Sequence, residues 1–394
     1  MASRMPDITR RGPGLRAPPK AILGPIAAHV AFVIELTLVP LLLPAIRAEF
    51  GLSISELAWV FNAYGIAVAI GVLLGGWFGD VLDARRVFVV GVGLFVGGAL
   101  LTSSAGGFET LILGRALQGL GGGIFAPLVP ILLTRAAPDR PGHVLIVWGS
   151  VAGYVAAFGP LLYGSFFNGF GWTLAFVFNA TVAVVALVVL VVPQVAEAAA
   201  PRRSRGGGYL GLLGSRDLWL VYIYVFCTYG AITYYLFQLP IWLSEDVARA
   251  LSIGFALSVL WLTFSAVSSL LRNLVDRQYL RPIMVAAPFL IALGLVLSYF
   301  SDSLPLLLMS TILVGSGLAC SNAPSTQMIL RIAPEGVSAF ATSLDITCAR
   351  LGGIATVAIL AQFEFGQAAL TICVSCAVAA LCAGLAARRP AGAG

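Results

Sequence analysis

Charged residues are scarce in this sequence. Asp, Glu, Lys and Arg together make up 10% of its 394 residues, whereas about 25% is usual in soluble proteins. Hydrophobic residues make up 59% of the chain, and the mean hydropathy is +0.98. A water-soluble fold has too little interior for that much apolar surface. The composition therefore excludes a soluble globular protein and predicts a polytopic membrane protein.

Histidine and cysteine are too few, or wrongly placed, for catalytic or metal chemistry. The two histidines, His29 and His143, cannot form such a cluster together. All six cysteines fall inside predicted membrane spans, which argues against disulfides and metal sites. Cys373 and Cys376 form a CxxC, but on a membrane helix this spacing favours small-residue packing over redox chemistry. We therefore predict no enzyme activity, no cofactor and no metal site.

Long apolar stretches recur along the whole chain. A membrane-spanning helix takes about 20 apolar residues, and about twelve segments meet that length. They cover roughly residues 21–46, 55–79, 87–105, 108–134, 143–167, 172–193, 217–243, 250–271, 282–300, 304–330, 337–362 and 365–387. We expect an all-α polytopic membrane protein.

Basic residues are distributed unequally between the two sets of loops. One set, with the two tails, carries Arg4, Arg10, Arg11, Arg16, Lys20, Arg85, Arg86, Arg135, Arg140, Arg202, Arg203, Arg205, Arg216, Arg272, Arg277, Arg281, Arg331, Arg388 and Arg389. The opposite loops carry Arg47 and Arg249. This asymmetry predicts that both termini face the cytoplasm of the inner or plasma membrane. The net charge of +6 is therefore a topology signal and gives no reason to expect nucleic-acid binding.

The longest polar stretch between spans, "PQVAEAAAPRRSRGGGYLGLLGSRD", falls near the middle of the chain. It divides six predicted spans from six, which is a common transporter plan with a cavity between the halves. The first residues form a basic, proline-rich stretch that does not resemble a cleavable signal peptide. The predicted units are a cytoplasmic tail (1–20), a six-helix bundle (21–193), a cytoplasmic linker (194–216), a second six-helix bundle (217–387) and a tail (388–394).

Two opposite charges lie deep in the predicted spans. Glu35 stands in "VIELTLVPLLLPAI" and Arg115 in "ETLILGRALQGLGGG", at depths of about 16 Å and about 10 Å if each residue rises 1.5 Å. A charge inside a membrane normally has a partner, and these depths allow the two to meet. Gln118 follows Arg115 by three residues and shares its helix face. The pair is either a fixed structural salt bridge or a switchable proton or ion site.

A second acid and base occur in "SLDITCARLGG". Asp345 and Arg350 are five residues apart, which is about 140° around a helix. They cannot face one another, so each needs a partner elsewhere. Asp345 is either a second titrating group or a structural one.

Other polar and small residues are weaker candidates. The loop "GGWFGDVLDARRV" places Asp80, Arg85 and Arg86 at two helix ends, where they either form a conformational latch or anchor the topology. Polar side chains that could line a substrate cavity, or simply pack, are Asn62, Gln118, Tyr229 and Gln238. A kinked, closely packed helix is predicted in "GYVAAFGPLLYG" from Gly153, Gly159, Pro160 and Gly164.

Taken together, these stretches resemble the major facilitator superfamily, and within it the drug:proton antiporters of the branch that usually has fourteen spans. "IELTLVPLLLPAI" is similar to that branch's LDxTIVNVALPxI, with Glu35 at the acidic position. "LILGRALQGLGGG" matches the fourth-span motif, with Arg115 at its arginine. "GPLLYG" resembles GPxxGG, with Tyr163 in place of a glycine. "GGWFGDVLDARRV" resembles G-x-L-A-D-R-x-G-R-K, in which Asp80 and Arg85 match. "GWTLAFVFN" resembles W-R-W-x-F-x-x-N.

The chain also departs from the family pattern. It has room for about twelve spans rather than fourteen. Val81, Asp83 and Ala84 differ from the loop motif, which would weaken or alter the latch. "SLDITCARLGG" resembles G-L-x-N-x-x-R-Q-L-G-G, but Arg350 replaces the glutamine and Asp345 adds a carboxylate that the pattern does not require.

The resemblance implies proton-driven export of a small molecule by alternating access. Burial favours the neutral form of a carboxyl group, so Glu35 would bind a proton from one side and release it on the other, with Arg115 favouring release. Substrate and proton would compete for this negative site. The expected partners are a small-molecule substrate, protons and the lipid bilayer, with a monomeric protein. The alternatives are an exporter or importer of a metabolite or siderophore-like compound that is not coupled through Glu35, and a non-transporting membrane receptor or scaffold.

Overall fold

Helices account for nearly all of the chain that the structure describes. The computed structural model describes residues 19–137, 141–166, 171–191, 214–244, 253–275, 279–300, 303–333 and 338–386. Its helices are α1 (Pro19–Phe50), α2 (Ile54–Val81), α3 (Ala84–Ser103), α4 (Phe108–Phe125), α5 (Leu128–Ala136), α6 (Pro141–Phe166), α7 (Trp172–Val191), α8 (Arg216–Ser244), α9 (Ile253–Val275), α10 (Leu280–Tyr299), α11 (Leu304–Ile332), α12 (Ser338–Leu360) and α13 (Phe365–Leu385).

The predicted spans correspond to these helices. Eleven apolar segments in the described ranges are long enough to cross a membrane, and α4 and α5 together form one of them, Phe108–Ala136. A shorter apolar segment, Val147–Tyr163, lies within α6 and supplies the twelfth. Large side chains such as Leu270, Leu370 and Phe289 are more than half exposed on the helix surfaces, as lipid-facing side chains are. The all-α polytopic fold is confirmed.

The helices form two bundles with the same internal pairing. In the first bundle α4 packs against α2 and α3, while α1 packs against α6 and α7. In the second, α11 packs against α9 and α10, while α8 packs against α12 and α13. The bundles meet mainly through α2 with α12 and α6 with α9. The predicted linker, 194–216, falls largely outside the described residues, so its position stays a prediction.

Glycine permits a close helix contact in the first bundle, between α2 and α4. A Cβ atom on Gly123 would lie 2.8 Å from the Cα atom of Gly71, closer than real Cβ atoms approach. In membranes, where helices gain little from hydrophobic burial, such close backbone packing is a main source of association.

We expect Gly123→Val to destabilise the protein because α4 would have to move away from α2. The matched control is Gly76→Val, since a Cβ atom there meets nothing within 4 Å. The measurement is the melting temperature of each purified variant in detergent. Equal melting temperatures for the two variants would contradict the close packing.

Buried apolar side chains join the two bundles at one end of the molecule. A single hydrophobic core there contains Leu42 and Val60 of the first bundle together with Phe237, Leu257 and Leu360 of the second. Phe61 of α2 also contacts Phe237 of α8, with ring centroids 5.6 Å apart. The bundles are therefore closed against each other at this end, which we call the closed end.

At the opposite end the two bundles have separate cores. Phe88 and Phe125 belong to the core of the first bundle, and Met284 and Ala383 to that of the second. The start of α3, the end of α5, the starts of α8 and α10 and the end of α11 all lie here. They carry Arg85, Arg86, Arg135, Arg216, Arg281 and Arg331. We call this the basic end.

Candidate functional site

A cavity of about 970 Å³ lies between the bundles and is lined by residues of α1, α2, α4, α6, α8, α9, α11 and α12. Its lining includes exposed residues in the parts of the helices nearer the basic end, among them Ser150, Ser269, Asn322 and Ile346. The hydrophobic core of the closed end lies beyond its deep side. In the described part of the protein, the cavity is therefore open toward the basic end and closed at the other end.

The predicted charge pair lies at the inner part of this cavity. Glu35 and Arg115 form an ion pair between Oε1 and Nη1, and each side chain is almost completely buried. The second carboxylate oxygen, Oε2, accepts a hydrogen bond from Gln118 Nε2 at 2.6 Å and another from Asn179 Nδ2 at 2.9 Å. Both oxygens of Glu35 are thus occupied by donors. This satisfies the requirement that a buried charge be both paired and hydrogen-bonded.

Arg115 has several partners besides the carboxylate. Its Nη1 donates to Gln118 Oε1 at 3.0 Å, and its Nε donates to the Val60 carbonyl at 3.4 Å. The guanidinium carbon lies 4.5 Å from the ring centroid of Tyr64 and 5.6 Å from that of Phe176. Cation–π contacts of this kind stabilise a desolvated cation. The cation would therefore keep favourable contacts if the carboxylate lost its charge.

Asn179 is a member of this network that the sequence reasoning did not single out. It is the asparagine of "WTLAFVFN" on α7, a helix otherwise made of apolar residues and threonine. An asparagine in such a helix needs a hydrogen-bond partner, and this was the available signal. Its Oδ1 atom is buried and has no hydrogen-bond partner among the described residues.

Asp345 and Arg350 of α12 both line the same cavity. The Asp345 carboxylate accepts a hydrogen bond from Thr326 Oγ1 of α11 at 2.9 Å. Arg350 shares the cavity wall with Tyr64 of α2 and Tyr229 of α8. Neither residue has an ion-pair partner within the part of the chain that the structure describes. The charges of Glu35 and Arg115, in contrast, neutralise each other.

Two of the four predicted cavity residues line the cavity. Tyr229 contributes from α8 and Asn62 from α2. Asn62 Nδ2 also donates to the Ile354 carbonyl of α12 at 3.1 Å. This hydrogen bond connects the two bundles, so a rocking motion between them must break it.

The other two, Gln118 and Gln238, do not line the cavity. Gln118 is fully buried, because both ends of its amide are held by the charge pair. On α8 the lining residues are Tyr229, Ile232, Thr233 and Leu236, which form one stripe at helical spacing. Gln238 lies two residues after Leu236 and so falls on another face of the helix.

The glycines of α6 lie at helix contacts. Gly153 lines the cavity, and a Cβ atom there would lie 3.3 Å from Ser265 Oγ of α9. A Cβ atom on Gly159 would lie 3.6 Å from Thr37 Oγ1 of α1. Pro160 lies inside the helix. The surroundings of Gly164 are outside the described residues.

The predicted latch residues lie where α2 ends and α3 begins. Arg85 and Arg86 are in the first turn of α3, which Asp83 caps by accepting a hydrogen bond from the Arg86 amide at 2.8 Å. Asp80 lies in the last turn of α2, but its side chain is outside the described residues. The latch therefore stays a prediction.

A family model described as the Major Facilitator Superfamily matches residues 26–357. Among curated proteins, the chain is similar to a multidrug resistance protein B homolog of Mycobacterium tuberculosis, with 32% identity over 200 residues, 50% of this chain and 36% of the relative. It is also similar to a cephamycin export protein of Amycolatopsis lactamdurans, with 34% identity over 163 residues, 40% of this chain and 33% of the relative.

A third relative is a puromycin resistance protein of Streptomyces alboniger, with 34% identity over 163 residues, 41% of this chain and 32% of the relative. The chain thus matches about a third of the length of these curated relatives.

Solved structures share the fold at low sequence identity. The nucleoside transporter NupG superposes with a TM-score of 0.76 at 14% identity, covering 93% of this chain and 98% of the other. A D-xylose–proton symporter superposes with a TM-score of 0.73 at 15% identity, covering 92% of this chain and 95% of the other. These two likenesses establish the fold alone.

Proposed function

Because the chain belongs to the Major Facilitator Superfamily, a family of membrane transporters, we propose that it exports a small molecule across the plasma membrane in exchange for protons. The single observation that carries the proposal is the buried Glu35 in the wall of a cavity that is open at one end. An ionisable residue inside a membrane protein marks a pathway for ions or substrate by default.

The surroundings of Glu35 support a proton-binding role, because they suit both of its charge states. The charged form is held by Arg115 and by the amides of Gln118 and Asn179. The neutral form would present an O–H group, which needs an acceptor. Asn179 Oδ1 lacks a partner among the described atoms. Rotation of this amide would exchange the hydrogen bond that Nδ2 donates to the carboxylate for one that Oδ1 accepts from the O–H group.

The shape of the molecule supports alternating access. The basic end is the cytoplasmic end by the positive-inside rule, so the cavity is in its inward-facing form and both termini are cytoplasmic. Opening the other end requires α2 to separate from α12, breaking the hydrogen bond from Asn62 to the Ile354 carbonyl. Rocking of one bundle against the other is the usual means in this type of fold.

The names of similar proteins support the direction of transport. Those of the cephamycin and puromycin relatives describe export and resistance. We propose the same direction of transport, export, for this chain.

A second candidate is a transporter in which the Glu35–Arg115 pair is a fixed scaffold. The complete set of hydrogen bonds around Glu35 favours this candidate.

The test is transport by the full chain in proteoliposomes with an imposed pH gradient. Ethidium, puromycin and 2,3-dihydroxybenzoate represent a cation, an antibiotic and a siderophore-like acid. We expect at least one compound to accumulate only while the gradient lasts and to cause proton movement when added. Flux at the same rate with and without the pH gradient would favour the fixed scaffold, and no flux of any compound would contradict the transport proposal.

A further inference from the structure

Among the described residues, four charged side chains line the cavity, and they fall into two unlike pairs. Glu35 and Arg115 neutralise each other, and Arg115 together with two amides occupies both oxygens of the carboxylate. Asp345 and Arg350 each lack an ion-pair partner in the described part of the protein. The charges available to a ligand are therefore one carboxylate and one guanidinium, and Glu35 is not the counter-ion of the ligand.

Asp345 and Arg350 do not form an ion pair with each other in the described structure, but they are close enough for one small molecule to contact both. They are five residues apart on α12, which separates their Cα atoms by roughly 8–9 Å along and around the helix. Asp345 is buried and Arg350 is half-buried, and a charge withdrawn from water without a partner is unfavourable. A ligand that carries the opposite charge at each position would remove both penalties at once.

The remaining lining adds an apolar body and further polar contacts. Trp261 and Phe264 of α9 line the cavity with their rings 5.9 Å apart. Trp261 Nε1 and Ser265 Oγ are buried and have no hydrogen-bond partner within the described ranges. Aromatic walls with a few unsatisfied polar groups are the usual composition of a small-molecule site.

We propose that this cavity binds an amphipathic zwitterion, with its cationic group at Asp345 and its anionic group at Arg350. The inference rests on the proposed function only in taking the cavity as the substrate site. A substrate of this class needs both charges, so a lipophilic cation alone or an anion alone would bind less tightly.

The test measures binding of one scaffold in four charge forms to the purified full chain in detergent. The probes are Nα-dansyl-lysine, its methyl ester, its Nε-acetyl derivative and the doubly blocked compound, which are a zwitterion, a cation, an anion and a neutral molecule. Dansyl fluorescence reports binding of each. We expect the zwitterion to bind at least about tenfold more tightly than either singly charged form, because one charge-assisted hydrogen bond typically raises affinity by about this factor. Equal affinities for the four forms, or no binding of the zwitterion, would overturn the proposal.

Two substitutions test which charged group of the ligand lies at Asp345 and which at Arg350. Asp345→Asn should weaken the zwitterion and the methyl ester but leave the Nε-acetyl form unchanged, and Arg350→Gln should do the reverse. Asp217→Asn and Arg331→Gln, the same changes outside the cavity, should leave all affinities unchanged. If Arg350→Gln does not fold, Arg350→Lys replaces it and should keep the zwitterion preference. A zwitterion preference that survives both Asp345→Asn and Arg350→Gln would assign it elsewhere and overturn the proposal.

Binding and transport separate this inference from the proposed function. Zwitterion preference without any gradient-dependent flux would contradict the proposed function alone. Gradient-dependent flux of singly charged compounds without a zwitterion preference would overturn the inference alone.

Discussion

Glu35→Gln is expected to reduce gradient-driven accumulation to the level of protein-free liposomes. Glutamine has nearly the shape of the protonated acid but cannot release a proton, so the exchange cycle stops with the site permanently neutral. Glu35→Asp keeps the ionisable group on a shorter side chain and should retain part of the activity.

The Glu35→Gln protein should nevertheless fold and insert. The new amide still offers one oxygen to Arg115, whose guanidinium also keeps Gln118 Oε1, the Val60 carbonyl and the ring of Tyr64. The new N–H groups face the amide donors of Gln118 and Asn179. Rotation of Asn179 replaces one of these two donors with the acceptor Oδ1. The loss of function should therefore be separable from loss of structure.

The matched control for this substitution is Glu109→Gln, because Glu109 is exposed in the first turn of α4. Transport, its dependence on the pH gradient and the melting temperature would be measured for both variants. Accumulation by Glu35→Gln at the wild-type rate, with the wild-type dependence on pH, would exclude a proton-carrying role for Glu35.

The Glu35–Arg115 contact could be anticipated from the sequence because depth along a helix and the cost of a buried charge are both local properties. Which neighbours complete the site could not. Asn179 comes from a helix that is remote in sequence, and its role depends on how α7 rotates against α1. Gln238 does not line this cavity for the same reason: its depth suits the cavity, but the lining stripe of α8 runs through Tyr229 and Leu236. Depth follows from residue counting, whereas the direction of a side chain depends on packing.

The contact between the two bundles at the closed end could not be predicted from the sequence either. The apolar residues that close it, such as Leu42 and Phe237, are indistinguishable by composition from those that face lipid, such as Leu370. Both environments favour the same side chains. The conformational state therefore comes from three-dimensional packing, while the span number and the distribution of basic loops come from composition alone.

Arg115→Ala is expected to be the most destabilising single substitution in the site. It leaves the Glu35 carboxylate buried with only the neutral amides of Gln118 and Asn179 as donors. Breaking one side of a buried ion pair typically costs about 3–5 kcal/mol. The substitution also removes the cation that contacts Tyr64 and Phe176.

The structure predicts an asymmetry between the two partners that a double-mutant cycle can measure. Arg115 retains polar and aromatic contacts when Glu35 is neutralised, whereas Glu35 has no other cation beside it among the described residues. Glu35→Gln should therefore lower the melting temperature less than Arg115→Ala does. The double variant should be more stable than Arg115→Ala alone, because the charge left without its partner is then gone, with a coupling free energy of about 1–3 kcal/mol. Arg331→Ala, an exposed arginine on α11, is the control for loss of an arginine as such. Additive effects in the cycle would show that the contact between Glu35 and Arg115 contributes nothing to stability, although the two groups touch.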